Sequence, residues 1–590
     1  MPNGDTDFPL RCSWIEAAHW PYSSIHRDIA RGQLHAVWVT NPLLVTDAVA
    51  EWSLQPWRLQ TRLAGFCVSI NAAQKHSTLL GKQTCKPFSK GCRVLRYTAT
   101  PDSGDNLMLD KSNWASGARC EYGLEHMSQN LKRGKYRQLV LAALLAGLCH
   151  AGQAQEPQRE TPSVSSGGAV TLFQNVRVFD GKSGTLSGPQ NVLVRGNKIE
   201  RVSTAPIPSD RSAGTVLIDG SGRTLMPGLI DAHWHTMLVR PTPAALLTGD
   251  IGHLNLAAGA EATATLMRGF TTVRDMGGPA FGLKRAIDEG TVAGPRIFPS
   301  GAIITVTSGH GDFRQPFEVP RTVGAPLTRQ ELLGAAMIAD SPDEVRVRVR
   351  EQLMLGASQI KLTAGGGVAS PHSPLDASTF TEAELRAAVE AAENWGTYVT
   401  VHAYTPVSIR RAIAAGVKCI EHAHLMDEAT AKLIAEKGIW LSTQPFPDEL
   451  ADAFPPGSLE RAKAMEVFAG TDRTFALAKK YKIKTAFGTD ILFSQKLAQR
   501  HGELLAKLVR WYTPAETLVM ATGTNAQLLA LSGKRNPYPG KLGVVEEGAL
   551  ADLLLVDGDP IANIKLIEDP EKNLLVIMKD GRIYKNSLGK

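Results

Sequence analysis

Two histidines spaced two apart, His233 and His235, follow the apolar run 228–232. On an extended strand such residues face the same side, so both imidazoles can reach one divalent cation at the strand's end. Taken alone the motif is weak, because a histidine pair at a strand end is more often simply hydrogen-bonded at a surface. Four further residues of ligand type change its weight: Lys361, His402, His422 and Asp490 each stand in or close a short apolar run, within 360–363, 399–402, 420–422 and 487–490. Singly they read as a snorkelling lysine, a structural histidine or a helix-capping aspartate. Five predicted strands aiming imidazole, amine and carboxylate groups at one place are hard to explain by packing and point to a metal site. His424 competes with His422 in E-H-A-H (421–424), and spacing alone does not choose between them.

These residues are far apart along the chain, so the fold must gather them. From 227 to 535, short apolar runs alternate with helical stretches, the pattern of repeated βα units on a parallel sheet. Strands are predicted at 228–232, 270–274, 296–299, 358–363, 398–401, 417–421, 439–443 and 484–488. Eight fit one α/β fold, the (β/α)8 TIM barrel, in which the C-terminal strand ends converge on the active site. Helix starts are marked by Ser341, Thr381 and Thr513, each with Glu three residues later. Alternating runs at 171–178, 191–194, 198–202 and 215–218, and again at 551–556, 574–578 and 582–584, predict a small β-sandwich built from both ends, 169–226 and 536–590.

The chain has 590 residues and 43% apolar content, enough for a large core and more than one domain. Its net charge of +7 is unevenly placed: residues 155–590 hold 47 Lys/Arg against 46 Asp/Glu, which gives no support to a nucleic-acid surface. Five of the seven Cys and six of the ten Trp precede residue 127, and Cys419, the one Cys from residue 155 on, reads as a small core hydrophobe. Residues 127–154 have the layout of a secretory signal peptide: Met127, the cations Lys132, Arg133, Lys135 and Arg137, an apolar run 139–148, then small residues ending at Ala154. The run is too short for a membrane anchor, which takes roughly 20 residues. Leu148 before Cys149 argues against a lipoprotein. We expect Met127 to be the initiator, 1–126 an upstream, poorly ordered extension, cleavage after Ala154, a linker over 155–168, and a periplasmic or secreted product.

The segments G-L-I-D-A-H-W-H (228–235), K-L-T-A-G-G-G (361–367), V-H-A-Y (401–404), I-E-H (420–422) and G-T-D (488–490) make residues 169–590 resemble the amidohydrolase superfamily, in its binuclear branch of imidazolonepropionase-like proteins, Xaa-Pro and carboxypeptidase-type dipeptidases and ochratoxinase. The resemblance implies two divalent cations, zinc being expected, one on His233, His235 and Asp490 and the other on His402 and His422, bridged by a carbamylated Lys361. It also favours His422 over His424. A buried lysine loses its proton readily and can then add CO2 to become an anionic ligand. Such cations lie about 3.5–4 Å apart, polarise the amide carbonyl and activate the attacking hydroxide. Asp490 would pass the water's proton to the leaving amine.

Substrate contacts are less legible. Tyr404 should share the inward face of His402, and His310 lies in the loop after the third predicted strand. Residues similar to these two contact substrate in the dipeptidase-like branch. Gly366 and Gly367 could present backbone N–H groups to a carboxylate, and Arg274 with Asp275 could form a structural ion pair. The expected reaction is hydrolysis of an amide joining an acyl or aminoacyl group to a C-terminal amino acid, in a dipeptide, an N-acyl amino acid or ochratoxin A. Alternatives are an imidazolonepropionase-like cyclic-amide hydrolase or deaminase, whose mononuclear relatives lack the Lys361 equivalent, and an inactive scaffold, which should have lost ligands. Homo-oligomerisation follows from the resemblance alone.

Overall fold

The first long strand, Val170–Phe179, buries Leu172, Phe173, Val176, Val178 and Phe179 and leaves Asn175 exposed. The computed structural model describes residues 169–208, 214–319, 325–446, 450–451 and 454–588, together with two short parallel-paired strands, Phe66–Val68 and Arg93–Leu95. The segments 127–154 and 155–168, and nearly all of 1–126, lie outside the described residues. From residue 170 on, five strands open the sequence of elements: β1 (Val170–Phe179), β2 (Leu186–Arg195), β3 (Lys198–Ser203), β4 (Thr215–Asp219) and β5 (Thr224–Pro227).

Ten parallel strands follow, separated mainly by helices: β6 (Leu229–Trp234), β7 (Phe270–Asp275), β8 (Arg296–Pro299), β9 (Ile303–Thr305), β10 (Ala336–Ile338), β11 (Ile360–Thr363), β12 (Val399–Ala403), β13 (Cys419–His422), β14 (Trp440–Thr443) and β15 (Thr485–Phe487). They form one sheet of order β8-β7-β6 and another of order β10-β9-β11-β12-β13-β14-β15. Hydrogen bonds join the two at both seams, from Ser358 N to Pro299 O at 2.7 Å and from Asp490 N to His233 O at 2.8 Å. Every strand predicted for the middle of the chain is present, and β9 and β10 are additions that the sequence reading missed. The helices begin where hydroxyl caps were expected: Ser341, Thr381 and Thr513 each accept from the N–H of the Glu three residues on.

The last strands are β16 (Leu553–Val556), β17 (Leu574–Lys579) and β18 (Arg582–Asn586). They pair with the first five in one mixed sheet of order β18-β17-β16-β5-β1-β2-β3, with β4 beside β1. The two ends of the chain meet where β5 runs antiparallel to β16. Alternation along β16 explains how this sheet packs. Leu553 and Leu555 join Phe173, Val192 and Val576 in the sheet's own core. Leu554 and Val556 face the other way, against Phe270, Leu505 and Leu508 of the parallel-sheet region. Among the described residues, no helix is long and apolar enough to cross a membrane.

Candidate metal centre

Alternation also decides which side chains leave the packed layer. In β11 and β12, Ile360, Leu362, Val399, Val401 and Ala403 pack outward in the core shared with the helices, leaving Lys361 and His402 on the opposite face. In β13, Ile420 packs outward, and His422 has the same parity. The backbone breaks that pattern, since His422 and Ala423 adopt positive φ of 73° and 58°. Non-glycine residues seldom take this conformation, and it persists where surrounding structure enforces it. The result brings the His422 ring to 4.5 Å from that of His402 and 4.9 Å from that of His233. Asp490 is also left-handed, with φ 56°. Its Oδ1 lies 3.2 Å from His233 Nε2 and 3.1 Å from His235 Nε2, and its Oδ2 lies 3.9 Å from His422 Nδ1. Gly488 permits this approach, because a Cβ there would stand 2.4 Å from His233 Cβ.

Each of the four imidazoles has one nitrogen engaged by an oxygen that can only accept. His233 Nδ1 donates to Glu421 at 2.8 Å, His235 Nδ1 to Gly277 O at 3.2 Å, His402 Nε2 to Gly366 O at 2.8 Å and His422 Nδ1 to Gln444 Oε1 at 2.7 Å. A neutral imidazole has one N–H, so in the neutral form each ring offers the lone pair of its second nitrogen; in His233 and His235 that nitrogen faces Asp490 Oδ1. Such rings beside a partly buried carboxylate are of the type that could supply the donor set of a divalent-cation site. The ligand atoms of His233, His235 and Asp490 all fall within 4.8 Å of one another.

Buried charge behind the ligands holds them in place. Glu421 accepts from Arg274 at 2.6 Å and from the Thr400 hydroxyl as well as from His233. Arg274 is completed by Ala232 O at 2.6 Å and Tyr398 Oη at 3.0 Å. Burial works to raise the Glu421 pKa, but Arg274 and His233 outweigh it and hold the carboxyl well below the usual glutamate range. The expected Arg274–Asp275 ion pair is therefore corrected. Arg274 turns to Glu421, while Asp275 accepts from the Thr236 backbone at 2.7 Å and, through burial, is raised to about 6. Asp231 accepts from His233 N, from Thr489 and from His501 Nε2 at 2.8 Å, tying β6 to the turn that carries Asp490. Sequence reasoning missed Glu421, Asp231, His501 and Gln444, and gave Arg274 the wrong partner. The signal for Glu421, as for Arg274, was a charge inside a buried strand, which must find a partner.

Burial lowers the Lys361 pKa, against the pull of Glu421 and Asp490, so the amine is eased toward its neutral, nucleophilic form. Lys361 also interacts electrostatically with His233, His402 and His422. For His233 itself burial and Lys361 lower the pKa, yet Asp490 and Glu421 carry it above the ordinary value. Burial is the largest influence on His402 and His422 and depresses both strongly. Burial opposes Asp490 ionisation, but His233 and His235 hold the carboxyl well below its usual range.

The expected substrate residues stand beside this cluster. The His310 ring is 4.3 Å from His402, and burial lowers its pKa to about 3. The Tyr404 ring lies 4.7 Å from His402 and 5.3 Å from His422, with burial raising its phenol. Gly366 departs from expectation. Its N–H donates to Ala377 O at 3.0 Å and is not free for a carboxylate, while its carbonyl fixes His402. A Cβ at Gly367 would meet His310 Nδ1 at 2.1 Å, so that glycine makes room for the ring. His424 donates from Nε2 to Gln444 O and stacks on Phe446 at 4.9 Å, with its ring 6.5 Å from His422. Cys419 is free and buried, with its thiol pushed up to about 12 by burial and Glu421.

Residues 224–584 match the Amidohydrolase family, and the chain belongs to that family. The ochratoxinase of Aspergillus niger is 31% identical over 389 residues, spanning 61% of this chain and 75% of the relative. Among solved structures, a prolidase complexed with N-methylphosphonate-L-proline aligns with TM-score 0.65 at 32% identity, over 71% of this chain and all of that one. A Xaa-Pro dipeptidase with methionine in its active site aligns with TM-score 0.61 at 31% identity, over the same shares. The protein is thus a hydrolase of the amidohydrolase family.

Proposed function

We propose that this hydrolase is binuclear, that its parallel strands close into a (β/α)8 barrel over 227–535 flanked by a sandwich from 169–226 and 536–590, and that it releases a C-terminal amino acid from a dipeptide or N-acyl amino acid. The observation that carries the reading is the set of four clustered imidazoles, each with one nitrogen held by an acceptor oxygen, three of which, His233, His235 and His422, face Asp490. His233, His235 and Asp490 would hold one cation and His402 and His422 the other, with a carbamylated Lys361 between them. When bound, zinc ions would polarise the amide carbonyl and lower the pKa of the attacking water. Asp490, kept ionised by its histidines, takes the water's proton and delivers it to the departing amine. Tyr404 and His310, both against His402, orient the substrate carbonyl and its flanking group. The named substrates of the ochratoxinase and dipeptidase relatives support an amide joined to an amino acid. The layout of 127–154 supports export.

Zinc-loaded full-length protein, assayed for amino acid release from dipeptides and N-acyl amino acids, tests this. Two metal ions per chain and turnover that disappears in Lys361→Ala are expected. One ion per active chain overturns the binuclear scheme, and full metal without turnover on amides, lactones or phosphoesters overturns hydrolysis.

A further inference from the structure

Helix Leu459–Ala469 lies between β14 and β15 and carries a buried lysine. Lys463 Nζ donates to Gly367 O at 2.8 Å, Ser370 O at 2.8 Å and Ser373 O at 3.2 Å. An ammonium has three donors, so its whole capacity is spent on one turn of the loop after β11. A buried cation costs free energy unless fully bonded, so a site that needed only packing would be better served by an apolar side chain. The loop it grips bears on the metal centre twice. Gly367 lies under the His310 ring, and Ser370 Oγ lies 3.0 Å from His310 Nδ1 while accepting from Gly311 N at 2.8 Å. The Ser370 hydroxyl accepts from Gly311 N and keeps its own proton, which it can donate to His310 Nδ1; that arrangement puts the imidazole's proton on Nε2. The same helix supplies Ala464, Val467 and Phe468 to the apolar cluster that contains Tyr404 and Leu375. It thus touches the surroundings of both residues placed beside His402.

We propose that Lys463 is a positioning residue: its three carbonyl bonds hold the 367–373 turn so that Ser370 fixes His310 against His402 as the Nε2–H tautomer. The role in turnover rests on the amidohydrolase reading above, whereas the tautomer does not.

A double-mutant cycle on the full-length, metal-loaded protein tests it, with the dipeptide turned over fastest as probe. Lys463→Met should keep its metal content and lower kcat/KM by about 100-fold, the order expected when an aligned group is displaced. In a His310→Ala background the same change should cost nothing further. Equal losses in both backgrounds would overturn the proposal. Nitrogen-15 histidine spectra, with the His310 signal identified by its disappearance in His310→Ala, should show a protonated Nε2 in the wild type and loss of that single tautomer in Lys463→Met. Ser370→Ala, which retains the ammonium clamp, should lose it too and serves if Lys463→Met fails to fold. A wild-type His310 protonated on Nδ1 would overturn the assignment. A wild type inert on every substrate, yet with the Nε2–H signal altered in both variants, would sink the hydrolytic reading and leave the positioning intact.

Discussion

The two halves of the histidine cluster are oriented by different chemistry. His233 is backed by a carboxylate, Glu421, which is itself locked by Arg274, and the neighbouring backbone is tied down by Asp231. His402 and His422 are backed by neutral oxygens, the Gly366 carbonyl and the Gln444 amide, among aromatic neighbours Tyr404, His424 and Phe446. A carboxylate behind an imidazole raises its basicity more than an amide does. His235, in the first half, is backed by the neutral Gly277 carbonyl, so the contrast rests on His233; under the proposed binuclear scheme the first half would hold its cation more tightly than the second.

Four measurements break or sharpen that contrast. Asp490→Asn touches both halves and should reduce kcat on the order of 10⁴-fold by removing the proton carrier, read by steady-state kinetics at full metal loading. Glu421→Gln strikes the first half alone. Leaving Arg274 buried without its charge partner should cost about 3–5 kcal/mol of stability, and the first cation should bind about 10–100-fold more weakly in chelator competition. If instead the second cation were lost first, the contrast would be reversed.

A third measurement concerns His501, stacked between Trp234 and Phe270 behind the first half. Burial lowers its pKa to about 4 from 6.5. Between those values the unfolded chain takes up a proton that the folded one refuses, so stability falls as pH drops from 6.5 toward 4, by about 3 kcal/mol. Denaturation midpoints across that range should show this slope in the wild type and a flatter one in His501→Gln. The smallest effect is expected from Gln444→Leu, which should weaken only the second cation, by about 10-fold. Metal titration would show that step shifting while the first stays in place.

Much of this centre could be anticipated because metal-ligand residues are rare in apolar strands. His233, His235, Lys361, His402 and Asp490 stood out as polar residues in or just after runs that otherwise bury themselves. The eight core strands were equally visible, since parallel buried strands read as short apolar runs between helices. Strands β9 and β10, of three residues each, left too little periodicity to detect. Gly366 was misjudged because a glycine run signals close backbone approach without saying whether N–H or carbonyl faces the site.

Local chemistry along the chain settles which groups can bind cations and which strands present them, because side-chain type and period-two alternation are short-range properties. Folding alone settles the partners. The choice of Glu421 over Asp275 for Arg274, the inward turn of His422 at positive φ and the grip of Lys463 on a loop some 90 residues away depend on contacts between distant segments. A buried charge must find a partner, but only the packed chain determines which one is within reach.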